Sequence, residues 1–278
     1  MRLRIRWGAF ALVLVACAAG AESRLERGRY LMNSIVACGN CHTPQGPDGP
    51  VKGMELAGGM KIEDKPFTAV ASNITPDRET GIGKWTDAQI IAAIREGRRP
   101  DGSIIGPPMP VALYRGMADE DVKAIVAYLR SVKPVRNKVA ASEYRIPLPP
   151  NYGPPVGRVK SPAFRDKASR GAYLAGPLGH CIECHSAPGA NGAPDFVNGL
   201  GKGGMTFHGP WGTSQATNIT PAGLSGYSDE ALRKVITTGV RPDGSRLKPP
   251  MGVGYYARMR PADLDAVIAY LRSLPAQK

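Results

Sequence analysis

The sequence predicts an all-α fold made of two similar domains in tandem, and three observations support this prediction. Short motifs recur along the chain at an offset of about 143 residues, which indicates a duplicated unit. Near the end of each copy, apolar residues recur at helical spacing, at 122–129 and again at 264–271. The sequence contains no alternating apolar and polar stretch long enough to predict a sheet.

The N-terminal 21 residues have the pattern of a secretory signal peptide. A basic start with Arg2, Arg4 and Arg6 precedes an apolar run at 7–16, and small residues follow at 19–21. The apolar run is too short to cross a bilayer as a permanent helix, and no later segment is as apolar. We therefore expect residues 1–21 to be removed and the mature protein to lie in the periplasm.

Cys17 lies in this signal region and leaves two interpretations open. The tetrapeptide Leu14-Val15-Ala16-Cys17 resembles a bacterial lipobox, in which the cysteine is lipidated and becomes the new N-terminus. Alternatively, Cys17 is a small apolar residue that is discarded with the signal peptide.

The repeated motifs delimit a first copy at 22–141 and a second copy at 163–278. In the order first copy and second copy, the matching segments are Gly28-Arg29-Tyr30-Leu31 and Gly171-Ala172-Tyr173-Leu174, Cys38-Gly39-Asn40-Cys41-His42 and Cys181-Ile182-Glu183-Cys184-His185, Asn73-Ile74-Thr75-Pro76 and Asn218-Ile219-Thr220-Pro221, Pro107-Pro108-Met109 and Pro249-Pro250-Met251, and Ala127-Tyr128-Leu129-Arg130-Ser131 and Ala269-Tyr270-Leu271-Arg272-Ser273. Between the copies, residues 142–162 are rich in proline, which predicts an extended and semi-rigid linker.

The order of helices within each copy is predicted from capping residues and periodicity. The first helix is expected to end at the CxxCH motif. A middle helix is expected from Thr86 as N-cap to Gly97 as C-cap, and its counterpart from Ser228 to Gly239. The last helix of the first copy is expected to begin near Asp119 and to bury one apolar face.

The CxxCH motif is the attachment signature of c-type haem, and the chain has it twice. Its two cysteines can each form a thioether with one haem vinyl group, and the adjacent histidine is then placed to bind the iron. The cysteine pairs could instead bind zinc or act as redox thiols, but neither alternative explains the histidine that follows both pairs. We predict two c-type haems, attached to Cys38 and Cys41 and to Cys181 and Cys184, with His42 and His185 as iron ligands.

Methionines that recur in register are candidates for the sixth iron ligand. Met109 and Met251 follow Pro-Pro, which stiffens the loop, so we predict that their thioethers bind iron. Met117 and Met259 are expected to pack in the core. The remaining pair, which follows two glycines, could be either ligand or core and consists of Met60 and Met205.

The chain is basic, with a net charge of +13 that falls to about +10 without residues 1–21. This surplus has two interpretations: a surface that docks to an acidic redox partner or an anionic membrane, or an ordinary solvated basic surface. The basic residues are scattered, and no basic run predicts binding to nucleic acid.

Each copy resembles a class I cytochrome c domain, in which the first and last helices cross with a glycine against an aromatic residue. Gly28 with Tyr128, and Gly171 with Tyr270, match those positions. Several segments of the first copy are similar to the haem domains of cytochrome subunits of bacterial membrane-bound alcohol, aldehyde and gluconate dehydrogenases, and of the di-haem cytochromes that accompany molybdenum hydroxylases. The segments that carry this likeness are Asn73-Ile74-Thr75-Pro76-Asp77, Gly83-Lys84-Trp85-Thr86-Asp87, Ile94-Arg95-Glu96-Gly97, Arg99-Pro100-Asp101-Gly102 and Pro107-Pro108-Met109-Pro110.

The resemblance implies an electron carrier rather than an enzyme. The expected donor is a periplasmic dehydrogenase, and the expected acceptor is a soluble cytochrome, a terminal oxidase or the quinone pool. The alcohol dehydrogenase subunits carry three CxxCH motifs and this chain carries two, which argues against a direct transfer of their quinone-reducing role. The alternative is a di-haem enzyme such as a cytochrome c peroxidase or a thiosulfate dehydrogenase, which would need an iron with an open coordination position.

Overall fold

The computed structural model describes residues 22–47, 49–190, 192–209 and 211–278. The predicted signal peptide and the lipobox at Cys17 lie outside the described residues. The helices are α1 Arg24–Asn33, α2 Gly39–His42, α3 Asp87–Glu96, α4 Val111–Tyr114, α5 Asp119–Ser131, α6 Lys167–Tyr173, α7 Cys181–His185, α8 Asp229–Thr238, α9 Val253–Tyr256 and α10 Pro261–Ser273. The strands are β1 Gln45–Gly46, β2 Gly49–Pro50, β3 Lys61–Asp64, β4 Phe67–Val70, β5 Glu143–Tyr144, β6 Thr206–Gly209 and β7 Gly212–Gln215.

The predicted all-α class is wrong. Helices account for 33% and strands for 11% of the described structure, and the strands form several small sheets. In each copy, an antiparallel hairpin follows the Gly-Gly-Met segment: β3 pairs with β4, and β6 pairs with β7. Each of these strands is four residues long, so the hairpins require no long alternation in the sequence.

The first and last helices of each copy pack closely, as the resemblance implied. Helix α1 packs on α5, and α6 packs on α10. A Cβ atom at Gly28 would clash with the carbonyl oxygen of Ala124, and one at Gly171 would clash with that of Ala266. Only glycine allows these helix backbones to approach so closely.

The middle helices have the predicted capping residues. Thr86 caps α3 through a hydrogen bond from the backbone N–H of Gln89, and Gly97 ends the helix in the left-handed region with φ 64°. In the second copy, Ser228 caps α8 and Gly239 ends it with φ 69°.

The segment that leads into each CxxCH motif differs between the copies. Helix α1 ends at Asn33, before the motif, and the motif begins a separate short helix, α2. In the second copy, α6 continues into a π-helical turn at Leu174–Leu178 that contains Pro177. Proline lacks an N–H and crowds the preceding turn, so a widened turn accommodates it.

The proline-rich linker lies against the first copy instead of spanning free solvent. Its strand β5 pairs with β4, and the guanidinium of Arg115 donates a hydrogen bond of 2.6 Å to the carbonyl of Pro154. Farther along, the backbone N–H of Val159 donates to the Asp119 carboxylate at 3.2 Å. Within the described part of the chain, no helix has the length and apolar character needed to cross a membrane.

Candidate functional site

The four cysteines of the two CxxCH motifs are free, half-buried thiols. Burial raises the pKa of Cys38 to about 12 and that of Cys41 to about 11, and burial also raises the pKa of Cys181 to about 11. Redox-active thiols need a lowered pKa, so these environments disfavour the redox-thiol alternative. Among the described residues, no three His, Cys, Asp or Glu side chains are grouped so that they could hold a metal ion, as a shared zinc site would require.

Both motif histidines are oriented by a backbone carbonyl. Nδ1 of His42 lies 2.7 Å from the carbonyl oxygen of Ser72, and Nδ1 of His185 lies 2.8 Å from that of Thr217. A carbonyl oxygen only accepts, so each Nδ1 carries the proton and each Nε2 has a free lone pair. Burial lowers the pKa of both histidines and favours this neutral form.

This arrangement fits a c-type haem. A metal-binding histidine usually donates its second ring N–H to a carbonyl or carboxylate, which fixes the tautomer and the ring orientation. Here the same bond occurs in both copies, next to a free cysteine pair on, or at the N-cap of, the short helix that carries the histidine.

The six recurring methionines occupy three kinds of environment. Met117 and Met259 are buried, with 0% and 8% of their surface exposed, which confirms their predicted place in the core. Met109 and Met251 are half-buried, pack against the hydrophobic core and follow cis Pro-Pro peptides. Met60 and Met205 are half-buried beside the two hairpins. The assignment of Met109 and Met251 as iron ligands stays a prediction.

The structure brings the two CxxCH motifs close to each other across a contact between the copies. The side-chain amide of Asn40, inside the first motif, donates a hydrogen bond of 2.8 Å to the carbonyl of Pro250, next to Met251. A second contact joins the second motif to the first copy. The ring of His180, which precedes Cys181, makes an edge contact with the ring of Tyr114 at a centroid distance of 5.8 Å. After burial, the Glu183 carboxylate is the next factor that raises the pKa of the Cys41 thiol.

The aromatic residues at this contact were not predicted from the sequence. Tyr114 and Tyr256 are buried there, each five residues after a candidate methionine ligand. Both stand three residues before a core methionine, Met117 or Met259, so the repeat contained a signal for them. His180 lies in this contact, and burial lowers its pKa to about 4. His208 is on β6, where its Nδ1 is 3.2 Å from the Thr213 hydroxyl.

Comparisons with known proteins agree with this geometry. The family model described as Cytochrome c matches residues 25–133 and again 168–275. The chain is 34% identical over 271 residues to a nicotinate dehydrogenase subunit of Pseudomonas putida, a match that covers 92% of this chain and 22% of that protein. It is 33% identical over 270 residues to the fructose dehydrogenase cytochrome subunit of Gluconobacter japonicus, covering 91% of this chain and 53% of the relative.

A third relative matches over most of its own length. The diheme cytochrome c-type protein of Cereibacter sphaeroides is 30% identical over 270 residues, which covers 93% of this chain and 88% of that protein. By contrast, the chain spans about a fifth of the nicotinate dehydrogenase subunit and about half of the fructose dehydrogenase subunit.

Proposed function

We propose, from the premise that this chain belongs to the cytochrome c family, that it binds two c-type haems and carries electrons from a dehydrogenase towards the respiratory chain. The chain is an electron-transfer cytochrome and not a catalytic subunit, as its relatives are named cytochrome subunits and a diheme cytochrome. The di-haem enzyme alternative is not favoured by these relatives.

The proposal assigns one haem to each of two domains, 22–141 and 163–278, joined by the linker at 142–162. Cys38 and Cys41 would hold the first haem by thioethers, with His42 and Met109 as the iron ligands. Cys181 and Cys184 would hold the second haem, with His185 and Met251 as its iron ligands. A c-type haem held in this way supplies one-electron chemistry between ferric and ferrous iron.

The observation that carries the proposal is the pair of hydrogen bonds from His42 to Ser72 and from His185 to Thr217. Each bond fixes a histidine ring with Nε2 free to bind iron, beside two free thiols. The half-buried thioethers on the Pro-Pro loops supply a soft and uncharged ligand type, which favours ferrous iron and raises the reduction potential.

The proposed donor is a dehydrogenase, because relatives of this chain are named as parts of nicotinate and fructose dehydrogenases. The proposed acceptor is a soluble cytochrome, a terminal oxidase or the quinone pool. We place the protein in the periplasm, with residues 1–21 as its signal peptide and Cys17 as a candidate lipid anchor. The basic surplus would favour docking to an acidic partner or to an anionic membrane surface.

A haem count on matched cysteine variants tests the proposal. The unmodified protein should contain two covalently bound haems per chain, measured by the absorbance of the pyridine complex and by mass spectrometry after denaturation. C38A/C41A and C181A/C184A should each retain one haem, and M109A or M251A should retain both while losing one thioether–iron absorption band. A chain with no bound haem, or with one in the unmodified protein, would contradict the proposal.

A further inference from the structure

We propose that Tyr30 and Tyr173 lock the two domains together by reciprocal hydrogen bonds to Asp263 and Asp121. The inference rests on the proposed function, because the lock would hold the two CxxCH segments at one fixed separation. The two tyrosines are matching members of the Gly-x-Tyr-Leu repeat, but haem binding gives them no role.

The first half of the lock joins α1 of the first domain to α10 of the second. The Tyr30 hydroxyl donates a hydrogen bond of 2.5 Å to Oδ2 of Asp263. The other oxygen of Asp263 accepts a hydrogen bond of 2.7 Å from Nε of Arg170, within the second domain. The Tyr30 hydroxyl also accepts a hydrogen bond of 3.1 Å from the backbone N–H of Arg260.

The second half repeats these contacts with the domains exchanged. The Tyr173 hydroxyl of α6 donates to Oδ2 of Asp121 on α5 at 2.7 Å. Nε of Arg27 donates to Oδ1 of Asp121 at 2.8 Å, within the first domain. The Tyr173 hydroxyl accepts from the backbone N–H of Ala118 at 3.0 Å, which corresponds to the Arg260 contact.

Burial makes each carboxylate depend on the tyrosine of the other domain. Asp263 is 0% exposed and Asp121 is 7% exposed. Each carboxylate has one oxygen bonded inside its own domain and the other bonded across the contact, so loss of the tyrosine hydroxyl would leave a buried, charged acceptor without its partner in the docked state. Burial, and then the hydrogen bond to Asp263, raise the pKa of Tyr30 to about 12, so this hydroxyl keeps its proton at neutral pH.

The two halves of the lock have the symmetry of an isologous contact. Tyr30 of the first domain bonds Asp263 of the second, and the matching Tyr173 of the second domain bonds Asp121 of the first. The same exchange of matching residues occurs across the interface of a two-fold dimer. A contact with this symmetry places corresponding surfaces of the two domains face to face. The Asn40–Pro250 and His180–Tyr114 contacts show that the CxxCH segments lie on those surfaces, together with the methionine loops, which contain the Pro-Pro-Met segments at 107–109 and 249–251.

Removal of the two hydroxyls by Y30F/Y173F tests the lock in the holoprotein. A hydrogen bond to a charged group stabilises the docked state, and its loss makes docking less favourable. Each lost hydroxyl should therefore raise the undocked population about tenfold, and both together about a hundredfold. Small-angle X-ray scattering would report a larger radius of gyration. Electron exchange between the two sites of a half-reduced chain should slow in proportion to the undocked fraction.

Tyr128→Phe is the matched control. Its hydroxyl accepts a hydrogen bond of 3.1 Å from the Asn33 side chain, so Y128F removes one tyrosine hydrogen bond that lies within the first domain and does not cross to the second. The scattering curve and exchange rate of Y128F should match those of the unmodified protein. The single variants Y30F and Y173F serve if the double variant does not fold.

Three outcomes decide the proposal. Expanded scattering and slower exchange in the tyrosine variants, with Y128F unchanged, support the lock. Unchanged scattering in Y30F/Y173F, with both haems bound, overturns the lock and leaves the proposed function intact. An unmodified protein without two haems overturns the proposed function, while the scattering comparison still decides whether the tyrosines dock the domains.

Discussion

The two methionine loops have the same sequence motif but different coverings. In the first domain, the linker lies over the loop: the Tyr152 hydroxyl donates to the carbonyl of Ile105 at 2.8 Å, and Tyr144 and Leu148 lie against Gly106. In the second domain, the position of Gly106 is taken by Lys248, which is exposed and whose ammonium donates to the carbonyl of Thr213 at 3.3 Å.

This difference shows how a duplicated domain can retain one framework while its two sites diverge. The capping residues, the glycine crossings and the histidine–carbonyl bonds are the same in both copies, and they set the positions of the candidate ligands. The linker exists once, so it can cover one loop only. A site covered by aromatic and aliphatic side chains disfavours the extra charge of ferric iron, so we expect the higher reduction potential at the first site.

The largest loss of stability should come from changes at the glycine helix crossings, which both domains share, and the loss should be equal in the two domains. In Gly28→Ala and Gly171→Ala, the new Cβ meets a backbone carbonyl oxygen, which cannot move without shifting the last helix. We expect a loss of about 3 kcal/mol in the free energy of unfolding for either variant, measured by urea titration. Gly226→Ala is the control, because nothing lies within 4 Å of a Cβ there. A clear inequality between G28A and G171A would contradict the equivalence of the two crossings.

A smaller and unequal effect should follow from exchanging the residues that distinguish the two loops. In Gly106→Lys, a Cβ would lie 2.6 Å from the Tyr144 ring and 2.7 Å from the Leu148 side chain, so the linker must move away. We expect about 2 kcal/mol of destabilisation and a reduction potential of the first site that falls towards that of the second.

The reciprocal variant Lys248→Gly provides the comparison. It removes one exposed hydrogen bond and adds backbone freedom, so its cost should stay below about 1 kcal/mol. Spectroelectrochemical titration of both variants measures the potentials. Equal shifts in G106K and K248G would show that the linker does not distinguish the sites.

Local signals in the sequence were sufficient for the middle and last helices, whereas the first helix ends at Asn33 and not at the CxxCH motif as the sequence predicts. Thr86 and Gly97 define α3 through capping that depends only on neighbouring residues, and the CxxCH spacing brings two thiols and a histidine together on one turn. The all-α prediction failed because four-residue hairpins are too short for periodicity to reveal. They follow the Gly-Gly-Met segments, and the first of them reverses at Lys65-Pro66.

Contacts between the domains were beyond prediction from one sequence. The Tyr30–Asp263 pair joins residues 233 positions apart, and no local pattern connects them. The proline content of the linker predicts an extended segment, but it does not indicate that this segment packs along the first domain through groups such as Arg115 and Asp119. The repeats identify which positions match, while the structure was needed to show that matching residues meet in exchanged pairs.

The smallest effect should come from the third residue of each CxxCH motif, where the domains differ at their contact. Asn40 donates to the carbonyl of Pro250, beside Met251, whereas Glu183 has the His180 ring at 4.0 Å and is half-buried, and this desolvation raises its pKa to about 8. Asn40→Ala should therefore cost about 1 kcal/mol in the free energy of unfolding. Because Pro250 precedes Met251, N40A should also shift the potential of the second site and leave that of the first site unchanged. Glu183→Ala removes a half-buried carboxyl that makes no such bond across the contact, so it should be neutral or stabilising in the same urea titration. If N40A shifted only the first potential, Asn40 would act within its own motif, and the contact at Pro250 would not couple the two domains.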